Sequence, residues 1–246
     1  RIRQFSITIL MSVLIALPAA AATREERRVT DATDVLDQFL RIPEQSIPPA
    51  LLSRAFAVAV VPQVIKVGFG VGARHGRGIL VVRQDDNSWS NPVFISLSGG
   101  SLGFQIGAQS TDVILVFKTR RSVEGIANGQ LTLGVDASIV AGPVGRQTGA
   151  HTDIIFKSEV YSYSRSRGLF AGIALEGASV SMDRLANAAF YSSPQMTPEK
   201  IFASPGNIAP PAANQFVQLL QAQTNRLPGI AVGVAASCCT AQPHAH

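Results

Sequence analysis

Cysteine is almost absent from this chain of 246 residues, and the two present, Cys238 and Cys239, are adjacent and nearly at the C-terminus. Neighbouring cysteines pair with each other only in a strained ring, and no spacing here fits a zinc site. A disulfide framework is thereby excluded. The pair reads as an inert tail, or as free or intermolecular thiols in an oxidising compartment. Histidine is equally scarce. Of four, His244 and His246 sit in the same tail, and His75 and His151 stand in no H-x-x-x-H or H-x-x-E setting. That removes the usual metal-site patterns. Concentrated Lys/Arg blocks are missing, so nothing argues for nucleic acid. No apolar run reaches the roughly 20 residues of a spanning helix. Internal repeats and a linker between two cores are also missing.

What is present begins at the N-terminus. Arg1 and Arg3 precede an apolar run, Ile7 to Leu17, then Pro18 and the alanines Ala19 to Ala22. A basic start, a short apolar middle and a small-residue exit predict a secretory signal peptide over residues 1–22. The competing reading is an N-terminal membrane anchor. Cleavage would start the mature protein near Ala22 or Thr23. The loss of Arg1 and Arg3 would leave 19 basic against 16 acidic residues. A balance of about +3 permits contact with an anionic surface without requiring it.

Val29, Ala32, Leu36, Phe39 and Leu40 fall at helical spacing and predict an amphipathic helix over Thr23 to Arg41. Two readings stand. The apolar stripe packs on the core, or the helix touches a membrane, helped by Arg24, Arg27 and Arg28. A short helix over Ala50–Ala55 leads into a buried strand, Phe56–Val61, which Pro62 is expected to stop. From Lys66 the texture changes: fifteen of the 21 glycines lie between 66 and 150. Strands are predicted over Ile79–Arg83, Val93–Leu97, Leu102–Ala108 and Val113–Phe117, with a Gly-Gly-Ser break at 99–101 and a polar turn at 109–112. Arg120–Asn128 reads as a helix closed by Gly129. Leu131–Val135 reads as a strand, and Gly168–Gly177 as pairing back on a strand within Asp153–Ser166. Met182–Tyr191, Pro198–Ala203 and Pro211–Thr224 read as helices, and residues 226–246 as a loosely ordered tail. The fold class expected is α+β. It is a single domain with a strongly curved antiparallel β-sheet, or partial barrel, packed by N- and C-terminal helices.

Two motifs invite chemistry. Gly68 to Gly78 is glycine-dense, but its third glycine comes one residue early for G-x-G-x-x-G, and a strand follows rather than a helix. Alternate glycines in a strand suggest tight curvature or close approach of a neighbour instead. Gly99-Gly-Ser-Leu-Gly103 fits the G-x-S-x-G consensus, and Asp112, Asp136 and His151 supply a possible order of partners. A nucleophile elbow needs a helix directly after the serine, and the residues after Ser101 read as strand. A serine hydrolase is therefore the weaker alternative, and no enzyme is expected.

Four segments carry a resemblance: S-W-S-N-P-V-F (88–94), G-G-S-L-G-F-Q-I-G-A-Q (99–109), L-G-V-D-A-S-I-V-A-G-P-V-G-R (133–146) and Y-S-Y-S-R-S-R-G-L-F-A-G-I-A-L-E-G (161–177). In this order they resemble the SYLF lipid-binding domain, of which the chain looks like a bacterial secreted member. The resemblance runs from about Thr23 to Ala203, within a domain expected over 23–225. It implies binding of anionic phospholipids and no catalysis or cofactor. Phosphoinositides are the best-known ligands of the eukaryotic members, some of which also associate with actin. An export signal makes envelope phospholipid the more plausible partner here, at a periplasmic or extracellular membrane surface. The basic residues available for such contact are Arg24, Arg27, Arg28, Arg74, Arg77, Lys118, Arg120, Arg121, Arg146, Arg165 and Arg167. The alternative is an envelope protein-interaction or structural module without lipid affinity.

Overall fold

The computed structural model describes residues 22–41, 47–69, 71–102, 107–142, 157–166, 169–171, 175–204 and 211–224. The expected signal peptide, the tail with its cysteines, Arg146, His151 and Arg167 lie outside the described residues.

Helix α1 (Arg24–Arg41) opens the domain. Thr23 and Glu26 cap it reciprocally. The Glu26 N–H donates to Thr23 Oγ1 at 3.1 Å, and the Thr23 N–H donates to Glu26 Oε2 at 2.7 Å. This satisfies two otherwise orphaned donors of the first turn. The predicted stripe is buried as a unit, with Val29, Ala32, Val35, Leu36 and Phe39 against the core. After α2 (Pro49–Ser53) come four long strands, β1 (Ala57–Phe69), β2 (Val71–Val82), β3 (Val93–Leu102) and β4 (Gly107–Phe117). Then follow α3 (Arg120–Ala127), β5 (Gln130–Thr132), β6 (Ile139–Ala141), β7 (Val160–Ser166), β8 (Leu169–Ala171) and β9 (Ala178–Met182). The helices α4 (Arg184–Phe190), α5 (Pro198–Ala203) and α6 (Pro211–Thr224) complete the described chain.

The nine strands form one sheet, curled into a half-barrel, in the order β5-β9-β3-β2-β1-β4-β7-β6, with β8 also on β7. Every pairing of named strands is antiparallel except β6 with β7, which is parallel. The base of the sheet is buried on both faces. Val58, Val60, Ile79, Val81, Phe94, Ile114 and Val116 meet α1, α2, α4 and α6 on one face. Ala57, Ala59, Val61, Leu80, Val82, Leu115 and Phe117 meet α3, Leu131 and Ile201 on the other. Two covered faces explain why these strands read as unbroken apolar runs rather than as an alternation.

Four sequence expectations need correction. Pro62 does not end β1. The strand absorbs it as a bulge, shifting register between Val61 and Val64 against β4 and between Val60 and Ile65 against β2. Gln63 takes φ +49°, and its N–H, lost to the ladder, donates to Asp112 Oδ1 at 3.0 Å. An extra residue on one strand bends it and sharpens its twist. Next, the Gly-Gly-Ser segment is not a break: Gly99, Gly100 and Ser101 pair with Arg74, Ala73 and Gly72 inside β3. The predicted turn at 109–112 likewise lies within β4. Finally, Met182, expected to open a helix, instead ends β9, a strand the sequence reading did not assign.

Glycine has a steric task at the base of β2. A Cβ on Gly78 would overlap the Val60 carbonyl oxygen and stand 2.7 Å from Val61 Cα. The curl brings β1 backbone across that position, and only glycine leaves room.

Candidate functional site

Beyond the bulge, β1 to β4 run on as a four-stranded end that no described helix covers. Ile65 is 53% exposed and Val67 47% exposed, and Ala73, His75, Arg77, Ala108 and Ser110 are exposed beside them. Strand alternation sorts this end into two faces. On the α1 side the register sets Ile65 between His75 and Ser110, and Val67 between Ala73 and Ala108. Phe69 pairs with Val71, and Val71 with Leu102. On the opposite side Lys66 pairs with Arg74 and Gln109, and Gly68 pairs with Gly72 and Gly107. Burial lowers the Arg74 guanidinium pKa from its ordinary value.

Charge is graded along this end. Lys66, Arg74, His75 and Arg77 stand near the bulge. Past them Val67 to Ala73 carries no charged residue, and none occurs from Asn91 to Thr111. The result is an uncharged tip of glycine and apolar residues behind a basic collar.

The other basic residues named from sequence are spread over the molecule. Arg24 and Arg27 are exposed on the first turns of α1. Arg28, on the same helix, points inward. It pairs with Asp183 at 3.1 Å, lies 5.5 Å from the Phe94 ring centroid, and its side chain is 10% exposed. That geometry makes Arg28 a tie between elements rather than a surface cation. Arg165, opposite Asp112 on β7, hydrogen-bonds Gln38 of α1. Lys118, Arg120 and Arg121 lie at the far end of the sheet, where β4 passes into α3, and Arg120 sits over the Phe56 ring. Among the described members of the expected set, then, only Arg74 and Arg77 lie in this collar. The structure adds Lys66, which sequence reasoning missed because β1 was expected to stop at Pro62. Its signal was the alternation Ile65-Lys66-Val67.

Two concave sites flank the core. One, about 390 Å³, lies among Phe56, Arg83, Asp85, Arg120, Val123 and Phe202. Its Arg83 serves structure, donating to the Ser53 carbonyl at 2.7 Å and lying 4.8 Å from the Trp89 ring centroid. The other, about 320 Å³, is polar, among Asp31, Asp34, Asp112 and Arg165. Ser101 lies in β3, and among the described residues no helix begins between it and β4, so the elbow geometry is not met. Among the described residues no cluster of His, Cys, Asp or Glu could hold a metal ion, and no helix is long and apolar enough to cross a membrane.

A curled sheet with helices on both faces and an open glycine-rich end is the setting for the comparison with known proteins. The chain belongs to the Ysc84 family, the SYLF domain, described as "Las17-binding protein actin regulator", which matches residues 98–223. It is similar to SH3 domain-containing YSC84-like protein 1 of Rattus norvegicus, 34% identical over 202 residues, covering 79% of this chain and 58% of that protein. The Homo sapiens protein of that name is 37% identical over 166 residues, covering 65% of this chain and 48% of its own. Protein YSC84 of Saccharomyces cerevisiae is 34% identical over 183 residues, covering 73% of this chain and 38% of its own. The chain thus spans well under two thirds of the curated relatives it matches. The family description names a binding and regulatory role, and the names of these relatives state an SH3 domain or the YSC84 likeness alone.

Proposed function

We propose that this domain binds anionic phospholipid surfaces without catalysis, as an exported protein acting at a periplasmic or extracellular membrane face. The observation that carries the reading is the exposed end of β1–β4, where Lys66, Arg74 and Arg77 border an uncharged apolar tip. Cations draw the end toward anionic headgroups, and exposed apolar strand residues gain by leaving water. The exposed Arg24 and Arg27 add to the field. Co-sedimentation with vesicles tests the proposal. The chain is expected to pellet with phosphatidylserine-containing vesicles, less with pure phosphatidylcholine, and less as salt rises. Equal failure on both vesicle types at low salt would overturn it.

A second reading is a protein-docking module, favoured by the family description as a Las17-binding actin regulator. A stable protein partner captured by a chain that ignores both vesicle types would favour that reading.

A further inference from the structure

We infer that the end of β1–β4 beyond the bulge enters the acyl region of an anionic bilayer, its α1-side face buried in lipid while Lys66 and Arg74 stay at the headgroups. This rests on the lipid reading above and gives it a place and an orientation.

Three observations converge. The first is the order of side chains along the strands. From the bulge outward the α1-side face runs Arg77, then Ile65 beside His75, then Val67 beside Ala73 and Ala108. Polarity falls steadily toward the tip, as expected of an element crossing from headgroups into hydrocarbon. The opposite face carries its cations one step behind, at Lys66 and Arg74; beyond them Gly68 pairs with Gly72 and Gly107, and Gly72 with Ser101. Long basic side chains there can keep their charges in the headgroup layer while their stems lie along apolar surface.

The second observation is the backbone. An element in hydrocarbon must satisfy its own N–H and C=O groups. At this end β1 is paired on both sides, with β2 out to Phe69 and with β4 out to Gly68; β2 is paired with β1 and with β3 out to Val71. The two central strands therefore keep their ladders intact. The outer edges of β3 past Gly99 and of β4 before Asp112 pair with no described strand, so β1 and β2 carry the insertion and it stays shallow.

The third is reach. Strand rise is about 3.4 Å per residue, so β1 extends at most about 10 Å from Lys66, held at the headgroups, to its end at Phe69. That is less than one leaflet of a hydrocarbon core about 30 Å thick. The tip is long enough to anchor and too short to span. A protein-binding surface requires none of these three features in combination.

The test uses the chain with Cys238→Ser and Cys239→Ser, and a single cysteine introduced by Val67→Cys or, as a control, Leu185→Cys. Leu185 is 85% exposed on α4. Each is labelled with an environment-sensitive fluorophore and mixed with phosphatidylserine–phosphatidylcholine vesicles, with and without brominated acyl chains. The inference predicts a blue shift and bromolipid quenching at position 67 and neither at position 185. Val67→Asp, a change at an exposed site that leaves the core intact, is expected to weaken vesicle binding at least tenfold with an unchanged melting temperature. Vesicle binding without a spectral response at position 67, or undiminished in Val67→Asp, would overturn the insertion while leaving the lipid reading in place. No vesicle binding by the unsubstituted chain would overturn both.

Discussion

Arg28 and Asp183, 155 residues apart in the chain, meet at 3.1 Å and join the first helix to the start of α4. Asp183 also accepts from the Ala186 N–H at 3.1 Å, so one carboxylate caps α4 and holds α1. Removing one partner of a largely buried pair strands the other charge. Arg28→Ala is expected to cost about 3 kcal/mol in urea unfolding, and far more than Arg27→Ala on the exposed side. A double-mutant cycle with Asp183→Ala should return a coupling well above that of a surface pair. Equal, small losses for Arg27 and Arg28 would contradict this assignment.

Asn187 stands in for a missing strand. The Phe94 N–H donates to its Oδ1 at 2.7 Å, and its Nδ2 donates to the Phe94 carbonyl at 3.3 Å, just past the last β3–β9 pair. Asn187 is buried, so truncation leaves the Phe94 N–H without this partner, whereas the Phe94 carbonyl keeps the Asp183 N–H at 2.9 Å. Asn187→Leu should lower stability by about 1–3 kcal/mol, although leucine is larger and more apolar. A neutral result by thermal or chemical denaturation would show that the strand end finds other partners.

The two ends of the glycine-rich region should respond oppositely to a single methyl group. Gly78→Ala drives a Cβ into β1 backbone and is expected to cost about 3 kcal/mol or more. A Cβ at Gly100 meets nothing nearer than the Gly72 carbonyl oxygen at 4.0 Å. Gly100→Ala should change stability by no more than about 0.5 kcal/mol. Melting temperatures of the two variants, measured side by side, give the comparison.

Alkaline pH should weaken the fold through its buried phenols. Burial raises the pKa of Tyr191, which donates to the Pro92 carbonyl at 2.6 Å, and of Tyr163. The folded state favours the neutral phenol, so its contribution is complete below the unfolded pKa of about 10. Above that pH the unfolded chain ionises first. Stability then falls by up to about 1.4 kcal/mol per pH unit for each such tyrosine, until the folded-state pKa is passed. Tyr191→Phe should lower stability at neutral pH through the lost hydrogen bond, and flatten the alkaline decline. A decline equally steep in Tyr191→Phe would assign the effect elsewhere.

Much of this architecture was legible in the sequence because local chemistry agreed with global need. The α1 stripe, the Gly129 stop after α3 (φ +153°) and the apolar runs of β1 to β4 all declare themselves at short range. What escaped depended on neighbours distant in the chain. Proline ordinarily ends a strand, but here Asp112 takes up the Gln63 N–H and lets β1 continue past Pro62. The run Gly99–Ser101 looks like a turn until β2 is seen beside it. β6, three residues long, carries too little pattern to stand out, and β5 (Gln130–Thr132) is shorter than the expected strand Leu131–Val135. The candidate site was legible in composition but not in place: Arg74 and Arg77 were named, whereas Lys66 and the exposed Ile65 and Val67 emerge only once β1 is known to continue.

The bulge at Pro62–Gln63 also works as a phase step. A regular strand through the same residues would put Val61, Ile65 and Val67 on one side and Lys66 on the other, under the helices. With one extra residue inserted, Val61 and Lys66 share a side, and Val67 joins Val60 on the side that α1 occupies. One strand thus carries two amphipathic codes in sequence, the first written for a double-sided core and the second for a surface. Each can be rewritten without disturbing the parity of the other, so the tip of the domain can diversify while its base stays fixed.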